Sequence, residues 1–241
     1  MDINQKITEE LGVKLWQVEA AVKLIDEGNT IPFISRYRKE ATGSLNDEQL
    51  RDLSERLNYL RNLEEKKEQV ISSIEEQGKM TEELKEKILL AETLVTVEDL
   101  YRPYRPKRRT RATIAKEKGL EPLAAYMMLQ QVKEPLEETA KQYISEEKEV
   151  KTEEEAIAGA KDIIAEIISD NADYRTWIRK TTMKKGKVVS TAKDPETESV
   201  YEMYYEFEES VEKLAGHRIL ALNRGEKEKI LTVKVEAPEE D

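Results

Sequence analysis

The 241-residue sequence has no cysteine, one histidine, nine glycines and seven prolines. Without cysteine there can be no disulfide scaffold, thiolate nucleophile, iron–sulfur cluster or cysteine-held zinc. The lone His217 rules out a multi-histidine metal site and reads as a packing or helix-start residue. So few glycines and prolines argue against a loop-rich β-sandwich. No stretch approaches the ~18 uninterrupted apolar residues of a membrane span. The opening MDINQKITEELG has no apolar segment of a secretion signal. Phosphate-binding GxxxxGK[ST], dinucleotide-binding GxGxxG, nucleophile-bearing GxSxG and zinc-binding HExxH patterns are all missing. The sequence therefore nominates no catalytic, metal-binding or cofactor-binding residue. The expectation is a cytoplasmic protein that is not an enzyme, with no membrane partner.

What the sequence has instead is charge. Charged residues make up 38% of it and hydrophobic ones 38%, against about 25% and about 45–50% in ordinary soluble domains. That balance suits long solvated helices. The net charge of −11 disfavours nucleic acid on average, but the charge is arranged in blocks. Tyr101 to Lys118 carries eight bases and one acid, Arg175 to Lys187 six bases and no acid, and Glu134 to Asp170 twelve acids and four bases. A polyanion senses potential within about 8 Å at physiological salt, so the blocks outweigh the total. Paired acids such as Glu146/Glu147, Glu153/Glu154 and Glu208/Glu209 read as solvated faces.

Apolar periodicity predicts a mainly α-helical scaffold with a long central helix, a helix-turn-helix-like element and a small α/β element near the C-terminus. Ile3, Ile7 and Leu11, then Leu15, Val18, Val22 and Ile25, mark two short helices separated at Gly12. That skeleton fits a helix-turn-helix or any helical hairpin. Asn46, with Gln49 as capping-box partner, opens a helix of about 30 residues ending at Gly78. Its seam of Leu50, Leu53, Leu57, Leu60, Leu63, Val70 and Ile74 lapses at Glu64 and Lys67, so a spine is expected rather than a coiled coil. Thr81 starts another helix, and Thr96 with Asp99 forms a further capping pattern. Helices are expected over 121–131, 136–144, 153–169 and 171–185, the third with a core face of Ile157, Ala160, Ile164, Ile167 and Ile168. Strands are expected over 187–192 and 230–235, with 201–222 partly helical. Composition divides the chain into 1–67, 68–186 and 187–241.

The segment DLYRPYRPKRRTRATIAKEKGLEPL is the most informative. Pro103 and Pro106 favour an extended backbone from which tyrosines and arginines project. Guanidinium groups grip phosphate bidentately and tyrosine rings stack on bases. The candidate nucleic-acid contacts are therefore Arg102, Tyr104, Arg105, Lys107, Arg108, Arg109 and Arg111, followed by Arg175, Arg179, Lys184, Lys185 and Lys187 from the second block. The same strip could instead brace the protein internally against the acidic 134–170 block, and both readings stay open.

IPFISRYRKEATG (31–43) and DLYRPYRPKRRTRATIAKEKGLEPLA (99–124) resemble two signatures of the N-terminal region of the Tex family of bacterial transcription accessory proteins. HRILALNRGEKE (217–228) is similar to the family's HRxLAxxRGExE, with Ala215–Gly216 where Pro-Ser is common. The resemblance implies a cytoplasmic nucleic-acid-binding protein, RNA foremost, acting around transcription, with a helix-turn-helix-like element in residues 1–67. It also implies that this chain is the N-terminal part of a longer protein with YqgF-like, helix-hairpin-helix and S1 domains, which it would scaffold. The alternative is a module that docks the transcription apparatus through its acidic helices.

Overall fold

In the computed structural model, which describes residues 2–130 and 135–239, Asp2 caps helix α1 (Ile3–Leu11) by accepting the Gln5 N–H at 3.1 Å. Gly12 ends it in the left-handed region at φ 63°, where only glycine is unstrained. Helix α2 (Leu15–Asp26) follows, then α3 (Ile31–Tyr37), which has Pro32 in its first turn. Asn46 and Gln49 form the expected reciprocal capping box at the start of α4 (Asp47–Glu76). Thr81 caps α5 (Glu82–Leu90) and Thr93 caps α6 (Leu94–Tyr101). The capping pattern expected at Thr96 and Asp99 is thus displaced by one turn: Thr93 Oγ1 accepts the Thr96 N–H at 3.2 Å, and Asp99 lies inside the helix.

One face of α4 organises these helices. Leu50, Leu53, Leu57, Leu60, Leu63, Val70 and Ile74 are all buried, covered by Ile7, Val18, Val22, Ile34, Ile88 and Val97. A buried leucine contributes roughly 1.5–3 kcal/mol of transfer free energy, so this seam dominates the stability of the first half. It does not lapse at Lys67, as the sequence suggests. Lys67 is 1% exposed and lies in the seam. Its methylenes pack as an apolar residue would. Its Nζ donates to the Leu89 carbonyl at the end of α5 and to Glu64 Oε1, both at 2.8 Å. Arg56 and Arg61 clamp Glu10 and Asp26 with two hydrogen bonds each, tying α1 and α2 to α4.

Met1–Pro106 forms one compact unit and Lys107–Asp241 a second. The boundary falls inside the basic segment, while α4 runs unbroken through position 67, one of the divisions suggested by composition. The second unit begins with α7 (Arg111–Glu117), capped by Thr110, and α8 (Glu121–Met128). The helix expected to reach Gln131 therefore closes at Met128, and Gln131 lies outside the described residues. A short helix α9 (Leu136–Ala140) and a 3₁₀ turn (Lys141–Tyr143) precede α10 (Glu153–Asp170), capped by Thr152. Ala112, Ala115, Leu120, Leu123, Ala140, Ala156, Ala160 and Ile163 make its first core. Gly159 allows the close approach, since a Cβ there would lie 2.4 Å from Leu120 Cδ1.

The core face of α10 is rotated from the expected one. Ala156, Ala160 and Ile163 are buried, Ile157 and Ile164 are half-buried, and Ile167 and Ile168 face solvent. The small side chains let the neighbouring helices sit closest, a criterion that hydrophobicity alone does not rank. Helix α11 (Ala172–Lys185), capped by Asn171, leads into β1 (Lys187–Ala192). Strand β2 (Glu206–Ser210), helix α12 (Gly216–Lys227) and β3 (Leu231–Glu236) complete the chain. The antiparallel sheet has order β2–β1–β3, with Val188 opposite Glu209 and Val235. Val188, Tyr201, Tyr204, Leu222 and Leu231 form its core. Strand β2 was not anticipated, because EFEES carries three acids in five residues and is held by pairing with β1 rather than by propensity. The fold class is as expected: mainly helical, with a small three-stranded sheet near the C-terminus.

Two outcomes follow from the first unit. Lys67→Ala should lower unfolding free energy by about 2–4 kcal/mol, because it leaves a cavity in the seam and an unmet Leu89 carbonyl. Lys67→Met, which keeps the packing, should cost less than half of that in urea denaturation. The second outcome concerns acid. The carboxyls of Glu10 and Asp26 are held below their ordinary values, first by the hydrogen bonds from Arg56 and Arg61. A depressed carboxyl stabilises the fold above its unfolded pKa, and that stability is lost as pH falls through the folded value. Stability should decline from about pH 5 downward, and Glu10→Gln with Asp26→Asn should flatten that decline. A pH series of denaturation midpoints reads it.

Candidate nucleic-acid interface

The first basic segment is not extended throughout. Tyr104 and Arg105 N–H groups both donate to the Tyr101 carbonyl, so residues 101–105 continue α6 as a tight turn. Pro103 permits this because its fixed φ suits a helical turn and its missing N–H is needed by no partner. Tyr101 OH meets Ser73 Oγ at 3.0 Å, and Gln77 Nε2 donates to the Tyr104 carbonyl at 2.9 Å. The Tyr104 ring is half-buried against the first unit's core, with Arg102 exposed beside it in sequence.

Most cations of the strip face carboxylates. Arg105 lies 3.7 Å from Glu98. In the second unit, Lys107 pairs with the buried Asp170 and lies 3.5 Å from Glu166, which also accepts from Thr110 Oγ1. Arg109 meets Glu117 at 2.9 Å and Arg111 lies 3.7 Å from Asp162. Arg108 alone of the strip's candidates in this unit has no ion pair among the described residues. The acids at Asp162, Glu166 and Asp170 all belong to α10, within the acidic block. Lys107, and at longer range Arg111, are thus placed to brace α10, whereas Arg105 and Arg109 pair with acids close to them in sequence.

The second block is differently placed. Helix α11 has no buried residue among its fourteen. Tyr174, Trp177, Ile178 and Met183 are exposed, Trp177 by 58%. Trp177, Arg179, Lys180, Met183, Lys184 and Lys185 line a shallow depression of about 560 Å³. After Asp173 the helix carries no acid. Lys180 and Lys184 have no ion pair among the described residues. Arg175 donates to the Ser169 carbonyl at 3.3 Å. Lys187, beyond the helix on β1, pairs with Glu208 at 2.5 Å, and that hydrogen bond raises its pKa above the ordinary lysine value.

On this surface the structure brings Lys180 and Trp177 together with the sequence candidates Arg179, Lys184 and Lys185. The signal was present: Tyr174, Trp177 and Ile178 recur at i, i+3 and i+4 among bases, a stripe that a packed helix would bury. The helix pair α1–α2 offers no comparable surface, since the exposed positions of α2 include Glu19, Lys23 and Asp26, mixed in sign. No helix among the described residues is long and apolar enough to cross a membrane, and none of their acidic and histidine side chains cluster to hold a metal.

If Lys107 is a brace, it and Asp170 must be energetically coupled. A double-mutant cycle with Lys107→Met and Asp170→Asn should give a coupling of about 1–3 kcal/mol in denaturant unfolding. Additive effects would mean that the lysine is not held there.

Comparison with known proteins places this architecture. The family model for the Tex-like protein N-terminal domain matches residues 1–75, and that for the Tex central region matches 131–241. The chain is 53% identical over 98% of its length to protein YdcI of Bacillus subtilis, covering 33% of that relative. It is 40% identical over its whole length to the transcriptional accessory protein Tex of Neisseria gonorrhoeae, covering 32% of it. It is 31% identical over 97% of its length to human S1 RNA-binding domain-containing protein 1, covering 24% of it. The chain spans about a third of the length of the curated bacterial relatives it matches. With both family models matched in order, and relatives aligned from end to end of the sequence, the protein belongs to the Tex family.

Proposed function

We propose that this chain is a non-catalytic, cytoplasmic nucleic-acid-binding and scaffolding region of a transcription accessory protein, and that α11 is its main nucleic-acid contact in the second unit. The observation that carries the proposal is α11, which has no buried residue and no acid after Asp173, with the exposed Trp177 ring beside Lys180 and Lys184, two lysines with no ion pair among the described residues. Aromatic faces interleaved with cations suit unpaired strands, where the rings stack on bases and the cations meet phosphates. A relative named for an S1 RNA-binding domain supports RNA as the ligand. The strip from Arg105 to Arg111 contributes chiefly through Arg108, because its other cations already face acids.

A second reading has its own support. Ile167, Ile168 and Ile178 are exposed on consecutive helices, and apolar side chains of that kind also suit a protein partner such as the transcription apparatus. Salt separates the two, since phosphate contacts weaken steeply with ionic strength and apolar docking does not.

The test is fluorescence anisotropy with labelled single-stranded RNA and duplex DNA. Binding should be weak, with a dissociation constant at the upper end of the ~10⁻⁴–10⁻⁶ M range of non-specific complexes at physiological salt. Lys180→Gln, Lys184→Gln and Trp177→Ala together should weaken RNA binding about tenfold or more and lower the salt slope by about 1.4, or 0.7 per lost phosphate contact. Changing Arg105, Lys107, Arg108 and Arg109 to alanine should have the smaller effect on binding. An α11 variant that binds with wild-type affinity and salt slope would defeat the proposal.

A further inference from the structure

The segment 36–39, Arg-Tyr-Arg-Lys, forms the C-terminal end of α3 and the start of the loop to α4 in the first unit, far in sequence from both basic blocks. The accounting of arginines in this unit sets it apart. Arg51, Arg56, Arg61 and Arg105 each lie within 4 Å of a carboxylate. Arg36, Arg38 and Lys39 have no ion pair among the described residues, and all three are exposed. The nearest acid in sequence, Glu40, leaves the segment with an excess of positive charge.

The segment is also held in shape. Ile34 is fully buried against α4. The Arg38 guanidinium lies over the Phe33 ring, 5.1 Å from its centroid, and donates to the Tyr37 carbonyl at 3.2 Å. Tyr37 and Phe33 pair at 5.3 Å between ring centroids. The loop that follows is pinned at its far end. Buried Thr42 donates its hydroxyl back to the Arg38 carbonyl, and the Ser44 N–H donates to that of Lys39 at 2.7 Å. Gln17 Nε2 donates to the carbonyls of both Thr42 and Gly43. Gly43, at φ 61°, lies so close to the Trp16 ring that a Cβ would come within 2.5 Å. With its backbone fixed on both sides, the segment leaves the Tyr37 ring 66% exposed, with Arg36 and Arg38 as its neighbours in sequence.

We propose that Arg36, Tyr37, Arg38 and Lys39 form a second nucleic-acid site, specific for single strands, in which an unpaired base stacks on Tyr37 while the three cations hold the flanking phosphates. An exposed ring flanked in sequence by exposed cations suits a ligand that offers a free aromatic face, which a stacked duplex does not. A cation already oriented on a neighbouring ring loses little freedom on meeting phosphate. An acidic peptide would satisfy the charges but leave the ring unused. The site stands on the first unit alone and does not depend on α11.

The test uses the whole chain and a short labelled oligothymidylate of about 12 nucleotides, within the range of a stacking surface. Arg36→Gln, Arg38→Gln and Lys39→Gln together should weaken binding at low salt about tenfold or more and lower the salt slope by about 2, or 0.7 per lost phosphate contact. Tyr37→Ala should weaken it about tenfold with the slope little changed, as loss of one stacked base requires. A spectroscopic reporter guards against misfolding. The sequence has only Trp16 and Trp177, so Trp16→Phe and Trp177→Phe with Tyr37→Trp leaves one indole at the stacking position. Its emission should be quenched by the oligothymidylate and much less by duplex DNA or an oligoglutamate peptide. An unquenched indole while the labelled strand still binds would overturn this site and leave α11 standing. Equal quenching by oligoglutamate or duplex would overturn the single-strand assignment. A response here with none from α11 variants would support this site against the α11 reading.

Discussion

A carboxylate within reach of a guanidinium or ammonium group takes up the charge that a phosphate would otherwise meet. In this acidic chain that interaction decides where function can lie. Arg56 and Arg61 hold α1 and α2 against α4 through Glu10 and Asp26, and Lys107 holds the end of α10 through Glu166 and Asp170. These cations are part of the fold. Among the cations with no ion pair in the described residues are Lys180 and Lys184 on α11, Arg108 in the strip, and Arg36, Arg38 and Lys39 at the C-terminal end of α3. At two of these places an exposed aromatic ring accompanies them.

Much of the fold was legible because helix ends announce themselves. Asn46 with Gln49, Thr81, Thr152 and Asn171 cap the helices that their side chains suggest. The misreadings have physical causes. Lys67 looked like a break in the α4 seam because its charge, rather than its four-carbon stem, was counted. The carbonyl that accepts its ammonium belongs to Leu89, far along the chain. The core face of α10 was assigned to the larger isoleucines, whereas close approach to α7 selects Ala156, Ala160 and Gly159. Thr93 rather than Thr96 caps α6, a choice between two equivalent threonines that local sequence does not decide.

The candidate site was legible in part. Clustering of bases found both blocks, and the α11 cations among them. It could not distinguish a cation facing solvent from one facing an acid on another element, since Lys107 and Asp170 are 63 residues apart. The same limit hid the 36–39 segment. Three bases beside a tyrosine are unremarkable in a chain with forty, and only the burial of Ile34 and Thr42 and the clamp from Gln17 show that the segment is presented rather than merely exposed.

On the reading proposed above, open rings beside cations without ion pairs, and not the tyrosine-rich strip, meet the bases. Photocrosslinking tests this most directly. A single-stranded oligonucleotide carrying 5-iodouracil at each position couples on irradiation to aromatic side chains stacked on the base, and peptide mass spectrometry then identifies the residue. Crosslinks are expected at Tyr37 and at Trp177 or Tyr174. Crosslinks concentrated at Tyr104, with none at Tyr37 or on α11, would contradict that reading.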